Sequence, residues 1–241
     1  MLKNMFSWDT VLLKRLCLTN FMNFYGEHQF QFKDGFNLVV GPGTSGKTNL
    51  ANAFKFAVLG QTEFPHCNLI NLQHRQECSE KAQKAFCQVE ATIQHNGREH
   101  FVKSKLSVTG EDKIRQSTFV PLELDNIITP RNFKLIYLEP LDLEKSVSEE
   151  KRESSVSERM VDAVSYLLGI NVKVEIKMAI IDGVLALLTG TKAENFLSLI
   201  RGIGLDQTIF MVKYSDQAGP LMKEPKRKEK LSQLSVSVNP S

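Results

Sequence analysis

Eight consecutive residues, Gly41 to Thr48, read GPGTSGKT and satisfy the pattern G-x-x-x-x-G-K-[ST] in full. An apolar run, FNLVV, precedes them and a segment of helical periodicity follows, which is the setting such a loop requires. The chemistry follows from the residue types. Gly41, Gly43 and Gly46 allow backbone conformations that side chains resist. Successive N–H groups of Pro42 to Asn49 (Thr44 and Ser45 among them, Pro42 supplying only its fixed backbone) can then converge on phosphate oxygens at a helix N-terminus. Lys47 adds a mobile positive charge for the β- and γ-phosphates, and Thr48 a hydroxyl for Mg²⁺. A metal bound there also needs an acid on a neighbouring strand. Asp182, which ends the apolar run KMAIID, is the candidate. In hydrolysis a general base polarises the attacking water, and Gly183, the next residue, has no side chain to do so.

Other chemistry-bearing residues are weaker signals. His66, Cys67, His74 and Cys78 lie close in sequence, but their spacing matches no standard metal pattern. Cys17, Cys67, Cys78 and Cys87 contain no C-x-x-C pair, so reduced thiols are expected. Phe21, Phe24, Phe30, Phe32 and Phe36 read as core residues rather than as base-stacking platforms. The run KEPKRKEK holds five bases and two acids; it could touch phosphate backbones or simply be solvated.

The elements that must position these residues can be read from periodicity. Val11 to Leu18, His28 to Phe32 and Phe36 to Val40 are predicted strands, with Asp34-Gly35 as a turn. Leu50, Ala53, Phe54, Ala57 and Val58 mark a helix over 49–59 that Gly60 ends. Residues 88–94 and 100–108 alternate about Asn96-Gly97, a strong hairpin signal. FKLIYL (133–138), KMAIID (177–182) and QTIFMV (207–212) are candidate buried strands. Helices are expected over 158–168 and 192–203.

The chain of 241 residues has 42% apolar and 24% charged residues, as soluble globular proteins do. With 14 Gly and 8 Pro, a collagen-like or wholly disordered chain is excluded. A net charge of +3 does not by itself imply nucleic acid. The longest apolar stretch, Met178 to Leu188, is broken by Asp182 and too short to span a bilayer. With no long apolar segment at the N-terminus, the expectation is a cytoplasmic protein, or a nuclear one in a eukaryote, with no membrane contact.

Residues 12–60, LKRLCLTNFMNFYGEHQFQFKDGFNLVVGPGTSGKTNLANAFKFAVLG with its Asn20-Phe21 segment and its loop, resemble the N-terminal half of ABC-type ATPases of the SMC and RecF group. Gly43-Thr44 stands where that group usually has Asn-Gly. The resemblance continues more weakly into KMAIIDGVLALLTGTKAENFLSLIRGIGLDQTIFMV. It implies an α/β P-loop NTPase of the ABC-ATPase head type: a mixed central sheet with an antiparallel β-subdomain and a small helical part. It implies one head over residues 1–221, with lobe 1 at about 1–143 and lobe 2 at about 154–221. Residues 144–153 would be a charged linker in place of a coiled-coil arm, and 222–241 a basic flexible tail.

By the same resemblance Asp182 falls on the metal acid and Gly183 where the group has its catalytic Glu. Glu139 lies near the metal-sensing Gln, and Ser155 and Glu158 match the signature segment that faces the partner's nucleotide. The switch His is absent, with Lys213 or Tyr214 in its vicinity. The implied function is an ATP- and Mg²⁺-binding head in DNA repair or chromosome maintenance. It would pair with itself or a related head, contact DNA, and hydrolyse weakly or not at all. Two other readings stay open: a non-enzymatic interaction module clipped by a nucleotide, and a P-loop small-molecule kinase.

Overall fold

The computed structural model describes residues 10–62, 64–108, 113–138, 176–187, 191–213 and 232–235. In chain order the elements are β1 (Val11–Thr19), β2 (Glu27–Gln31), β3 (Gly35–Val40), α1 (Lys47–Leu59), α2 (His66–Leu69) and α3 (Leu72–Glu80). Then come β4 (Ala85–His95), β5 (Arg98–Val108), β6 (Ile114–Phe119), α4 (Leu122–Asp125), α5 (Pro130–Ile136) and β7 (Tyr137–Leu138). After the undescribed segment follow β8 (Met178–Asp182), a 3-10 turn (Val184–Leu187), α6 (Thr191–Ile203), β9 (Gln207–Val212) and β10 (Ser232–Ser235).

Two five-stranded sheets result. One is antiparallel, in the order β2-β1-β4-β5-β6. The other is parallel, in the order β10-β3-β9-β8-β7. Helix α1 lies between them, touching β4, β5 and β6 on one side and β8 and β9 on the other. That position explains its composition: Leu50, Ala51, Ala53, Phe54, Phe56, Ala57 and Val58 are all buried, and the stripe Thr48, Asn52, Lys55 and Leu59 is left at least partly exposed. Strands β8 and β9 are covered on both faces: all five residues of β8 and all six of β9 are buried, mostly apolar, with Asp182, Gln207 and Thr208 the polar exceptions.

The antiparallel hairpin turns at Asn96-Gly97, whose φ values of 48° and 80° are both positive, as a two-residue primed turn requires. A buried glutamine joins the two sheets. Gln207, at the start of β9, accepts a hydrogen bond from Leu13 N (2.8 Å) and donates to Leu13 O (2.8 Å) and Lys33 O (2.9 Å). Leu13 sits beside the register shift of β1 against β4, so the backbone of β1 is satisfied from across the molecule. Asn37, also buried, accepts from Lys33 N (2.9 Å) and donates to Lys33 O (2.7 Å), closing the turn before β3.

Three expectations change. The run 133–138 is not one strand: its first four residues end α5, and only Tyr137–Leu138 is β structure. The cause is a helix start just upstream, where Thr129 accepts from Asn132 N (3.2 Å) and Pro130 stands in the first turn. Within the expected flexible tail, Ser232–Ser235 forms β10, parallel to β3. Strand β6 and helix α4 lie where no element was expected. The helix expected over 158–168 and the linker 144–153 lie outside the described residues. Among the described residues no helix is long and apolar enough to cross a membrane.

Candidate functional site

Parallel register brings three strand ends together. Val40 of β3 pairs with Val212 of β9, and Asp182 of β8 pairs with Met211. The loop that leaves β3 therefore starts beside the end of β9 and one strand from Asp182. Crevices at the carboxyl ends of such strands are where α/β sheets take ligands.

The loop is fastened by its own backbone. Gly41 N donates to Val212 O (3.2 Å), and Ser45 N donates to Pro42 O (3.1 Å). Gly46 caps α1 with φ 86°, a left-handed conformation, and supplies no side-chain cap, so the first N–H groups of α1 face outward without a side-chain acceptor from that residue. A Cβ at Gly46 would lie 2.5 Å from Asn23 Nδ2 and 2.6 Å from Asn23 Oδ1, so the position has neither the φ nor the room for a side chain. Pro42, Gly43 and Thr44 are exposed.

Inside the loop, Lys47 is buried and donates from Nζ to Gly41 O (2.8 Å) and Pro42 O (2.7 Å). Burial pushes its pKa below the usual lysine value; Asp182 pulls it back up, and Lys213 pushes it further down. Thr48 Oγ1 donates to Asp182 Oδ2 (2.5 Å), and the Tyr137 hydroxyl reaches the same oxygen at 3.3 Å. Asp182 is 9% exposed. A hydroxyl beside a carboxylate is the hard-oxygen pair that Mg²⁺ takes. Ser45 Oγ is buried within the loop and has no hydrogen-bond partner, an orphan that an anion at the loop would relieve.

Sequence reasoning named Gly41 to Asn49 and Asp182, and the fold draws these together. Gly183 has φ 69° and donates its N–H to Met211 O (3.0 Å); the 3-10 turn that follows buries Val184 and Leu185. Glu139, Ser155 and Glu158 lie outside the described residues. His74 and Cys78 approach to 3.6 Å on α3, but among the described residues no group of three or more His, Cys, Asp or Glu side chains could hold a metal.

Two residues of the site, Asn23 and Tyr137, escaped that reasoning, and Lys213 was named only as standing near the absent switch His. Asn23 accepts from Asn49 Nδ2 (2.6 Å) and donates to Thr44 O (3.4 Å), bracing the loop from the β1–β2 connection. Tyr137 is brought to Asp182 by α5, whose Phe133 packs on Phe54 with ring centroids 5.6 Å apart. Lys213, just past β9, comes so close that a Cβ at Gly43 would lie 3.7 Å from its Cε. An Asn three residues after Asn20 and a base just past a buried strand were the signals available.

A sequence model of the family described as RecF/RecN/SMC N terminal domain matches residues 12–202. No curated protein matches the chain. Among solved structures, the SMC head domain from Thermotoga maritima is similar at 17% identity and a TM-score of 0.59, with 86% of this chain and 91% of that one covered. An SMC head solved bound to the C-winged helix domain of ScpA is similar at 13% identity and a TM-score of 0.56, again with 86% and 91% covered. These likenesses carry the fold: a P-loop head of the ABC-ATPase type, with its antiparallel sheet and its parallel sheet in the arrangement described above.

Proposed function

Since the chain belongs to the RecF/RecN/SMC N-terminal domain family, we propose that it is an ATP- and Mg²⁺-binding head that acts in chromosome maintenance or DNA repair by nucleotide-dependent pairing with itself or a related head, binding more strongly than it hydrolyses. The observation that carries this is one cluster: Lys47 held in the loop by two carbonyls, Thr48 bonded to Asp182 at 2.5 Å, and the orphaned Ser45 hydroxyl beside them.

The residues divide the work. Backbone N–H groups of the loop and the start of α1 receive phosphate oxygens. Lys47 exchanges its carbonyl partners for phosphate, which would also repay the cost of burying its charge. Thr48 and Asp182 would hold Mg²⁺, whose role when bound is to neutralise phosphate charge. Tyr137 and Asn23 keep Asp182 and the loop in place. Gly183 offers nothing that could orient a water, so turnover is expected to be slow or absent. Ser155, Glu158 and Glu139 are assigned to the partner's nucleotide and the metal by resemblance, as is contact with DNA.

Gly183 also favours a second reading, in which the nucleotide is a clip that lets the head assemble with a partner protein; one similar SMC head was solved bound to the C-winged helix domain of ScpA. The kinase reading has no counterpart in the family match.

The test is thermal unfolding with and without ATP–Mg²⁺, alongside phosphate release. Ligand at a hundredfold excess over Kd stabilises by about 2.7 kcal/mol, or roughly 5–10 °C for a chain of this size. A shift with slow release supports the head; a shift with no release, and no pairing in light scattering, supports the clip. No shift, or turnover at ordinary ATPase rates abolished by Lys47→Ala, refutes the proposal.

A further inference from the structure

The antiparallel sheet ends in a strand that its own sequence leaves unguarded. Of the four strands at sheet edges, β7 has two residues and β10 four. Strand β2 carries Glu27 and His28. Strand β6 is six residues long, and every one of them is exposed. It contains no Pro, Lys, Asp or Glu, the residues with which natural edges keep other strands away; Arg115 is its one charge. Four of the eight large apolar side chains exposed among the described residues lie on it or at its margin: Ile114 (48%), Phe119 (60%), Leu122 (75%) and Phe101 (41%). Phe101 is on the same face as Phe119 and diagonal to it, because Phe119 pairs with Lys103, two residues further along β5. Exposed apolar groups gathered in this way mark a surface that takes a protein partner.

The strand is also held still. On its inner face Gln116 Nε2 donates to Gly60 O, and Ser104 Oγ donates to Ala57 O (3.3 Å) and meets Thr118 Oγ1 at 3.0 Å. A Cβ at Gly60 would lie 2.4 Å from Thr118 Oγ1, so strand and helix end fit closely. The edge is therefore fastened to the last turn of α1, and little order remains to be imposed when another strand adds to it. Helix α1 separates this edge from the loop: its 13 residues run about 20 Å from Gly46 to Gly60. A strand added at β6 thus meets a different surface from a head paired across the nucleotide.

We propose that the occupant of this edge is a second copy of the chain, its β6 running antiparallel to the first about a two-fold axis at Ser117 and joining the two antiparallel sheets into one. A two-fold normal to the sheet keeps both apolar faces on one side, so residues of the same parity lie opposite each other. About Ser117 it sets Arg115 of each copy opposite Phe119 of the other, a guanidinium against an aromatic ring, twice over. It sets Ile114 opposite Val120, both apolar, and Gln116 opposite Thr118. No two like charges meet. Centring the axis on Gln116 instead would put Arg115 against Ser117 and lose both cation–ring contacts. The strand is complementary to itself about Ser117, as an isologous interface requires. This pairing needs no nucleotide, and it gives the head a second surface through which heads joined across nucleotides can be linked edge to edge.

Sedimentation equilibrium of the full chain without nucleotide or Mg²⁺ tests this, under reducing conditions so that the exposed Cys67 forms no disulfide. Interfaces below the standard size are weak, so a dimer with a Kd of about 10 μM is expected. Ser117→Lys sets two ammonium groups opposite each other and should weaken the dimer about tenfold, as should Ser117→Asp with two carboxylates. An equimolar mixture of the two variants pairs opposite charges and should recover the dimer. Ser117 is exposed, so neither change should move the melting temperature of the dilute monomer. A wild-type chain that stays monomeric at about 100 μM overturns the proposal and leaves the edge to a strand from another protein. Variants that dimerise as the wild type does, or a mixture that fails to recover, overturn it because the contact then lies elsewhere. Assemblies larger than a dimer overturn it because a two-fold pair uses its edge up. A dimer that forms only with ATP–Mg²⁺ overturns this proposal and leaves the nucleotide reading standing.

Discussion

Replacing Gln207 with Leu isolates the tie between the two sheets. The side chain is fully buried and makes three hydrogen bonds, two to Leu13 and one to Lys33 O. Leu has nearly the same volume, so the change opens little cavity and the cost is polar. Lys33 O keeps a partner in Asn37 Nδ2 at 2.7 Å. Leu13 N–H and C=O lose theirs in the interior, next to the register shift of β1. Each unsatisfied buried group costs about 1–3 kcal/mol, so the expected loss is about 3–4 kcal/mol after the modest gain from the apolar side chain. For a chain of this size that is roughly 6–15 °C in melting temperature. Urea unfolding followed by circular dichroism reads the midpoint, and the slope shows whether the unfolded surface changed. Gln207→Glu is the companion variant: it keeps an oxygen where Leu13 N donates but has no amide N–H for Leu13 O, so it should be at least as destabilised. A loss under about 1 kcal/mol in Gln207→Leu would refute the reasoning, because it would mean that the Leu13 groups find water or another partner at no cost.

Two further outcomes follow from the site. Gly46→Ala should destabilise the unliganded chain by about 1–2 kcal/mol for a left-handed Ala and, by displacing Asn23, abolish the ATP-induced melting shift; Gly97→Ala, with positive φ but open space, should lower stability and leave that shift intact. Lys47 sets a pH dependence: its folded pKa lies below 10.5, so the full cost of its burial is present below that folded value. Between the folded value and 10.5 the unfolded chain holds more protons, and this group's contribution to stability rises with pH. Phosphate favours the protonated amine, so ATP affinity should fall across the same alkaline window with proton uptake on binding, read by titration in buffers of different ionisation enthalpy.

What could be read from residue types was local. The loop Gly41 to Thr48 announces itself because strand, glycines, lysine and helix are contiguous. The Asn96-Gly97 turn is legible because its two residues tolerate the positive φ that they adopt. Asp182 could be nominated because it ends an apolar run, but its partner Thr48 lies 134 residues away and only the β8–β9 and β3–β9 registers bring them together. FKLIYL misled because a short apolar run fits a buried helix as well as a strand; the Thr129-Pro130 start signal upstream was the arbiter. Asn23, Tyr137 and Lys213 reach the site through tertiary packing, for which periodicity carries no signal. Gln207 reads as the polar first residue of a strand, and nothing in its neighbours reveals that β1 depends on it.

The pairing of β3 with β9 has a consequence for how the protein is made. Gly35–Val40 leaves the ribosome long before Gln207–Val212, yet the two run side by side, and Gly41 is anchored on Val212. A nascent chain that stops short of β8 already carries GPGTSGKT and the antiparallel hairpin, but neither the acid nor the strand that seats the loop. Closing so long a loop of chain is entropically slow. Competence to grip a nucleotide therefore arrives late and all at once during synthesis, and a truncated product carries the motif without its seat.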